Sequence, residues 1–167
     1  AAAWWLIGEH LRQPWFTPIM ESFSALATPV TLLVVLCVAT AFVPGKRPGW
    51  CNVLNLVLVV ILNQALKFVI QRPRPDVFRL TEVSGFSFPS GHSMVAMAVF
   101  GLLLWYVWRY EKNPRRRVAL ICLFALIIVM IGISRIYLGA HYASDVLGGF
   151  CVSVVWLVLY TKVIAPA

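Results

Sequence analysis

Charge is scarce in this chain: only 12% of its 167 residues are Asp, Glu, Lys or Arg. A soluble domain carries about 25%, so a water-soluble globular protein is excluded. With 61% hydrophobic residues and a mean hydropathy of +0.86, an integral membrane protein is expected. Acidic residues are scarcest, 6 against 14 Lys and Arg, for a net charge of +8. That excess does not point to nucleic acid. The basic residues sit in short loops between apolar runs, the pattern of membrane topology and anionic headgroups. The four cysteines (Cys37, Cys51, Cys122, Cys151) are scattered and form no C-x-x-C pair. This excludes a disulfide framework or zinc site and leaves small core residues. No segment alternates like a strand, and an open chain in lipid satisfies its backbone only as helix. No repeat or low-complexity segment stands out, and the length suits one domain over 1–167. Ala1 to Gly8 is apolar without a basic leader, so no cleavable signal peptide is expected.

What is present is a series of apolar runs. Five reach the roughly 20 residues a spanning helix needs: 24–43, 51–70, 90–108, 118–136 and 146–164. Residues 4–22 differ, mixing Trp4, Trp5, Trp15 and Phe16 with Glu9, His10, Arg12 and Glu21, punctuated by Pro14 and Pro18. That mixture predicts an interfacial amphipathic helix. The expected fold is therefore all-α, an integral membrane helical bundle of five spans plus an interfacial amino-terminal helix. Loops near 44–49 (Lys46, Arg47) and 109–117 (Arg109, Lys112, Arg115, Arg116, Arg117, against Glu111) are the most basic. Two spans separate them, so they share a side, and the positive-inside rule makes it cytoplasmic.

Three polar clusters then fall together on the opposite, extracytoplasmic side. The first is Lys67-x6-Arg74-Pro75, at the end of the second span. Lys67 suits the negative end of a helix dipole, and alone reads as a snorkelling lysine. The prolines of Arg72-Pro73-Arg74-Pro75 hold the segment extended and fix where arginine forks, suited to phosphate oxygens, point. The second is Pro89-Ser90-Gly91-His92, opening the third span. A capped helix start accounts for Pro89 and Ser87, but not for Gly91 or His92. Glycine in a first turn lets an anion approach free N–H groups, and a histidine beside it can exchange a proton.

The third cluster, Ser134-Arg135-x5-His141-x3-Asp145, joins the last two spans. A spacing of four puts imidazole and carboxylate on one side. The carboxylate orients the ring and raises the basicity of its far nitrogen, as a histidine nucleophile requires. Together the clusters predict phosphoryl transfer without a metal: Lys67, Arg74 and Arg135 as cations, Ser90 and Gly91 as neutral donors, two histidines for the two ends of the reaction. Asp76, Glu82 and Asp145 are the only carboxylates near the site, and no ligand spacing links them into a two-metal centre.

In order, spacing and placement, these motifs resemble without mismatch the three-part signature of the type 2 phosphatidic acid phosphatases (PAP2). The resemblance covers roughly residues 50–150. It is nearest to compact bacterial members that dephosphorylate phosphatidylglycerol phosphate or undecaprenyl pyrophosphate. It implies a bundle usually of six spans, a phosphohistidine intermediate and no metal or other cofactor. His141 then looks like the nucleophile, Asp145 its orienting partner and His92 the general acid that later activates water. Lys67, Arg74, Ser90, Gly91 and Arg135 would hold the phosphate. The expected substrate is a lipid phosphomonoester or pyrophosphate in a bacterial plasma membrane, with Arg79 and Glu82 as candidates for headgroup selection. Five counted spans fall one short of six, so either a first span is missing or residues 1–22 are its remnant.

Three other readings remain. A small transporter would place its ionisable groups along a path through the spans, whereas these gather at helix ends. A lipid phosphotransferase would share every motif. A vanadate-using haloperoxidase shares the oxyanion pocket but not the membrane-embedded chain.

Overall fold

The structure is a computed structural model that describes residues 12–42, 50–76, 79–81 and 83–163. Among these residues the regular elements are all helical: α1 (Thr17–Ala25), α2 (Pro29–Phe42), α3 (Trp50–Ile70), α4 (Gly91–Tyr110), α5 (Pro114–Tyr137) and α6 (Ala143–Val163). Helices α3 to α6 are long and apolar enough to cross a membrane, which makes four candidate spans among the described residues, or five if the bent α1–α2 pair counts as one.

The bundle is built around α4, whose Met94, Ala96, Ala98, Val99 and Leu102 are fully buried. Helices α3, α5 and α6 surround it and turn Val57, Ile61, Leu126, Val129, Val155 and Leu159 outward. An apolar exterior suits hydrocarbon, which offers nothing for a polar side chain to bond. Between helices, small residues and buried amides take over. Gly149 of α6 lies so close to α4 that a Cβ there would come within 3.0 Å of the Ser90 carbonyl oxygen. Asn55 of α3 donates to the Ala98 carbonyl of α4 at 2.8 Å and accepts from Trp156 Nε1 of α6 at 2.8 Å.

Two boundaries differ most from the sequence reading, and the last long helix also opens earlier, at Ala143 and not 146. The run 24–43 is not one helix: Leu26 to Thr28 break it, Pro29 opens α2, and the two axes bend by 61°. Proline lacks the N–H that a continuing helix needs, while averaged hydropathy passes over it. The second is the start of α5, at Pro114 and not 118. Asn113 caps it by accepting from Arg115 N at 3.0 Å and Arg116 N at 3.2 Å, so arginines read as loop form the first helical turn.

The interfacial stretch read over 4–22 lies partly outside the described residues, including Trp4, Trp5, Glu9 and His10. The described part docks on the bundle. Met20 of α1 is fully buried in a cluster with Phe16, Tyr137 and Leu138. Arg12 donates to the Tyr137 carbonyl at 2.9 Å.

Candidate active site

The end of the bundle away from the Asn113 turn gathers four helix ends, each closed by local chemistry. Helix α3 stops after Ile70, where Gln71 takes a left-handed φ of 49° and turns the chain into the extended Arg72–Pro75 segment. Helix α4 begins behind Ser90, whose hydroxyl accepts from Ser93 N at 3.4 Å and Ser93 Oγ at 3.0 Å. Serine 90 is thus the cap. Pro89 precedes it instead of occupying the first helical position, and Ser87 is no cap at all.

Helix α5 ends in a Schellman motif. Gly139, at φ 72°, donates to the Ile136 carbonyl at 3.0 Å, and Ala140 donates to that of Arg135 at 3.1 Å. Only glycine takes that conformation without a Cβ penalty, and the reversal delivers His141 to the site. Helix α6 starts with Asp145 in its first turn, reaching back to accept from Tyr142 N at 2.9 Å. A carboxylate suits that position twice over, as half a capping box and as the counterpart of the helix dipole.

Arg74, 9% exposed, is the hub. Its Nε donates to the Gly85 carbonyl at 2.9 Å, one Nη to Ser84 at 3.0 Å, and the other to Ala140 at 2.9 Å, the last also lying 3.3 Å from His141 Nε2. One planar fork thereby joins the first and third clusters. Burial, with Arg79 adding to it, holds the guanidinium below its usual proton affinity. Lys67 donates to the Phe86 carbonyl at 3.0 Å, so it is tied to the loop before α4 and does not merely snorkel. His92, second residue of α4 and half-buried, lies within electrostatic reach of Arg135, His141, Lys67 and Arg74. The N–H groups of Gly91 and His92 sit in the turn where a helix supplies its own donors no acceptor.

Arg135 is buried at 3% exposure. One Nη donates to Ser24 Oγ of α1 at 2.5 Å, and its Nε is buried without a hydrogen-bond partner among the described residues. Leaving a buried charged donor unmade is costly, so this cation fits an anion that completes it.

His141 and Asp145 come together, but less directly than the spacing suggested. Nδ1 and Oδ2 are 3.7 Å apart, beyond hydrogen-bond distance. Ser87 lies between, donating to Asp145 Oδ2 at 2.5 Å and standing 3.4 Å from His141 Nδ1. The other carboxylate oxygen receives Arg72 at 2.8 Å, and that guanidinium also bonds Ser144 Oγ at 2.8 Å and stacks over Tyr142. Burial, reinforced by Arg74, Arg135 and Lys67 and opposed by Asp145, pushes the His141 imidazole down to about 4.

The structure therefore brings Lys67, Arg74, Ser90, Gly91, His92, Arg135, His141 and Asp145 to one end of the bundle. Ser87, Arg72 and Ser24 join them without having been singled out for it. Arg72 was legible only as part of the rigid run. Arg79, considered for headgroup selection, is occupied by Asp76 at 2.9 Å and by the Pro75 carbonyl. Glu82 lies outside the described residues.

Phosphatidylglycerophosphatase B of Bacillus subtilis is 36% identical over 144 residues, 84% of this chain and 71% of that protein. The lipid A 1-phosphatase of Rhizobium etli is 36% identical over 123 residues, 66% of this chain but only 47% of its relative. The crystal structure of a transmembrane PAP2 type phosphatidylglycerolphosphate phosphatase from Bacillus subtilis superposes with a TM-score of 0.85 at 32% identity. It covers 96% of this chain and 84% of that one. Aquifex aeolicus LpxE shares the fold, with a TM-score of 0.79 at 23% identity over 96% of this chain and 93% of its own. The PAP2 superfamily model matches residues 48–166, a stretch that holds all three clusters and the four long helices, and the chain belongs to that family of membrane lipid phosphatases.

Proposed function

We propose that the chain hydrolyses a lipid phosphomonoester or pyrophosphate through a phosphohistidine on His141, without a metal, at the extracytoplasmic face of a bacterial plasma membrane. Phosphatidylglycerol phosphate is the first substrate to consider, given the Bacillus relative. The observation that carries the reading is His141 itself. Its Nε2 faces the Arg74 fork at 3.3 Å, while its Nδ1 faces Ser87 and Asp145.

Lys67, Arg74, Arg135 and the Ser90–Gly91 turn hold the phosphate oxygens. The Nε2 lone pair forms the N–P bond as the P–O bond breaks, and the departing oxygen takes its electron pair and a proton from His92. The ring, neutral beforehand, becomes an Nδ1–H cation facing Asp145. His92, now deprotonated, takes a proton from the water that attacks phosphorus, and the N–P pair returns to Nε2. This chemistry needs fixed positive charge more than covalent help. Among the described residues no three His, Cys, Asp or Glu side chains cluster as a metal-binding set. The outward orientation is supported by the cationic α4–α5 turn at the far end of the bundle. The tail would lie along the apolar flank.

Phosphate release from phosphatidylglycerol phosphate, undecaprenyl pyrophosphate and phosphatidic acid, in detergent with EDTA, tests the proposal. The expected result is release that persists in EDTA, with an acid-labile phosphoenzyme, both abolished in His141→Ala. Release that survives in that variant, or that EDTA abolishes, overturns it.

A further inference from the structure

We propose that Ser87 is a positioning residue that links Asp145 to His141, holding the proton on Nδ1 and so keeping Nε2 unprotonated, as attack on phosphorus requires. The inference deepens the phosphohistidine reading above and rests on it for its catalytic meaning.

The argument is a proton count. Asp145, fully buried and flanked by Arg72, accepts only, and it receives three donors: Ser87 Oγ, Tyr142 N and Arg72 Nη. Ser87 has one hydroxyl proton, and the 2.5 Å contact commits it to the carboxylate. What Ser87 has left are lone pairs, so at 3.4 Å it serves His141 only as an acceptor. Nδ1 must then carry the ring's proton. The other side of the ring requires the same tautomer independently. Arg74 has no acceptor atom, so Nε2, 3.3 Å from its Nη, must offer a lone pair there. Two neighbours on opposite edges of one imidazole thus agree.

The chain of bonds runs from His141 Nδ1–H to Ser87 Oγ, and from Ser87 Oγ–H to Asp145 Oδ2. When phosphorylation makes the ring cationic, Ser87 passes the carboxylate's field across the 3.7 Å that the two groups do not bridge directly. No proton needs to reach Asp145, which keeps its charge. Because Ser87 is fully buried and His141 only 2% exposed, bulk water does not stand ready to replace the hydroxyl. Arg72 contributes from behind by occupying Oδ1, which leaves Oδ2 to face Ser87.

The test combines kinetics with proton NMR of ¹⁵N-histidine-labelled protein in detergent. In the wild type a low-field Nδ1–H resonance of His141 is expected. Ser87→Ala should lower kcat and phosphoenzyme formation by about 10- to 100-fold, the usual cost of losing a group that orients a reacting histidine. KM should stay near the wild-type value, since Ser87 touches no phosphate-binding atom, and the resonance should broaden into exchange. Ser87→Thr, which keeps the hydroxyl, should recover both readouts. Ser87→Cys, nearly isosteric but a weak donor, should fall between and guards against misfolding of the alanine variant. Wild-type kcat with an unchanged resonance in Ser87→Ala overturns the proposal, as does failure of threonine to recover what alanine loses in folded protein. Should the wild type form no phosphoenzyme, the catalytic reading fails by itself, while the resonance, which needs no turnover, still decides the link.

Discussion

At the α4–α5 turn Arg115 and Arg116 stand exposed, Arg117 lies over Trp108, and the nearest carboxylate contact is Arg116 to Glu111 at 3.9 Å. At the opposite end Arg74 is buried and engages three carbonyls and a histidine from two segments. The residue type is the same, but the physical roles differ. An exposed cation keeps its side-chain freedom and its water, and any ion pair it forms is worth little. A cation threaded among backbone carbonyls has lost both, so its charge is fixed before the substrate arrives, which makes it useful to a transition state.

Removing the hub should have the largest effect. Arg74→Ala is expected to lower kcat/KM by about 10²- to 10³-fold, the scale of losing one fixed donor to a developing charge. Arg74→Lys should recover little of this, because a single ammonium cannot span acceptors that a planar fork reaches. Near-complete activity in the lysine variant, measured by phosphate release, would mean that charge alone matters at both ends.

Next in size is a change that moves the site without touching a charge. Gly149→Ala puts a methyl against the Ser90 carbonyl and should destabilise the bundle by about 1–3 kcal/mol, as overpacking does. A thermal shift in detergent reads this, and activity should fall with it as the α4 start is displaced. An unchanged midpoint would show that the helices part easily there.

Acidification should act more weakly than the exposure of ordinary histidines suggests. With its proton affinity depressed to about 4, His141 stays about nine-tenths neutral at pH 5, where an unperturbed histidine would be almost wholly charged. Its ¹⁵N shifts should therefore move only near pH 4. The stability linkage has the same sign: as pH falls from about 6.5 the unfolded chain takes up a proton that the native one refuses. Stability is full above that range and declines toward pH 4. A titration midpoint near 6.5 would place His141 in water.

The smallest effect belongs to the other end. Replacing Arg115, Arg116 and Arg117 together by Gln should leave detergent turnover within about two-fold, as expected of solvated charges. A large loss would erase the contrast between the two ends.

Much of the site was legible because polar residues are rare in such a chain and stand out where apolar runs stop. Lys67, Arg74, His92, Arg135, His141 and Asp145 announce themselves in this way, and the structure gathers them. Ser87 did not, since a serine before a helix reads equally well as a cap, and only the placement of Asp145 decides otherwise. Ser24 is 111 positions from Arg135, in a segment that hydropathy merges with α2. A polar residue whose partner lies so far along the chain leaves no local pattern. Pro29 and Asn113 did carry legible signals, a break and a cap, but each was outvoted by the averaged character of its neighbours.

Lys67, Arg74 and Arg135 form no ion pair within 4 Å among the described residues, and Asp145, whose charge reaches Lys67 and Arg74, is already engaged by Arg72. Three cations thus lie close together, offset by carbonyl dipoles and the charge of Asp145, and among the described residues the buried Arg135 Nε has no hydrogen-bond partner. On the proposed function, a tetrahedral anion bound among these cations offsets their mutual repulsion. By linkage such an anion acts as a folding ligand: at a hundred times its Kd, inorganic phosphate would add about 2.7 kcal/mol to the native state. The product of the proposed reaction would then double as a stabiliser of the protein that released it, and melting temperature against phosphate concentration would become a binding curve that needs no lipid.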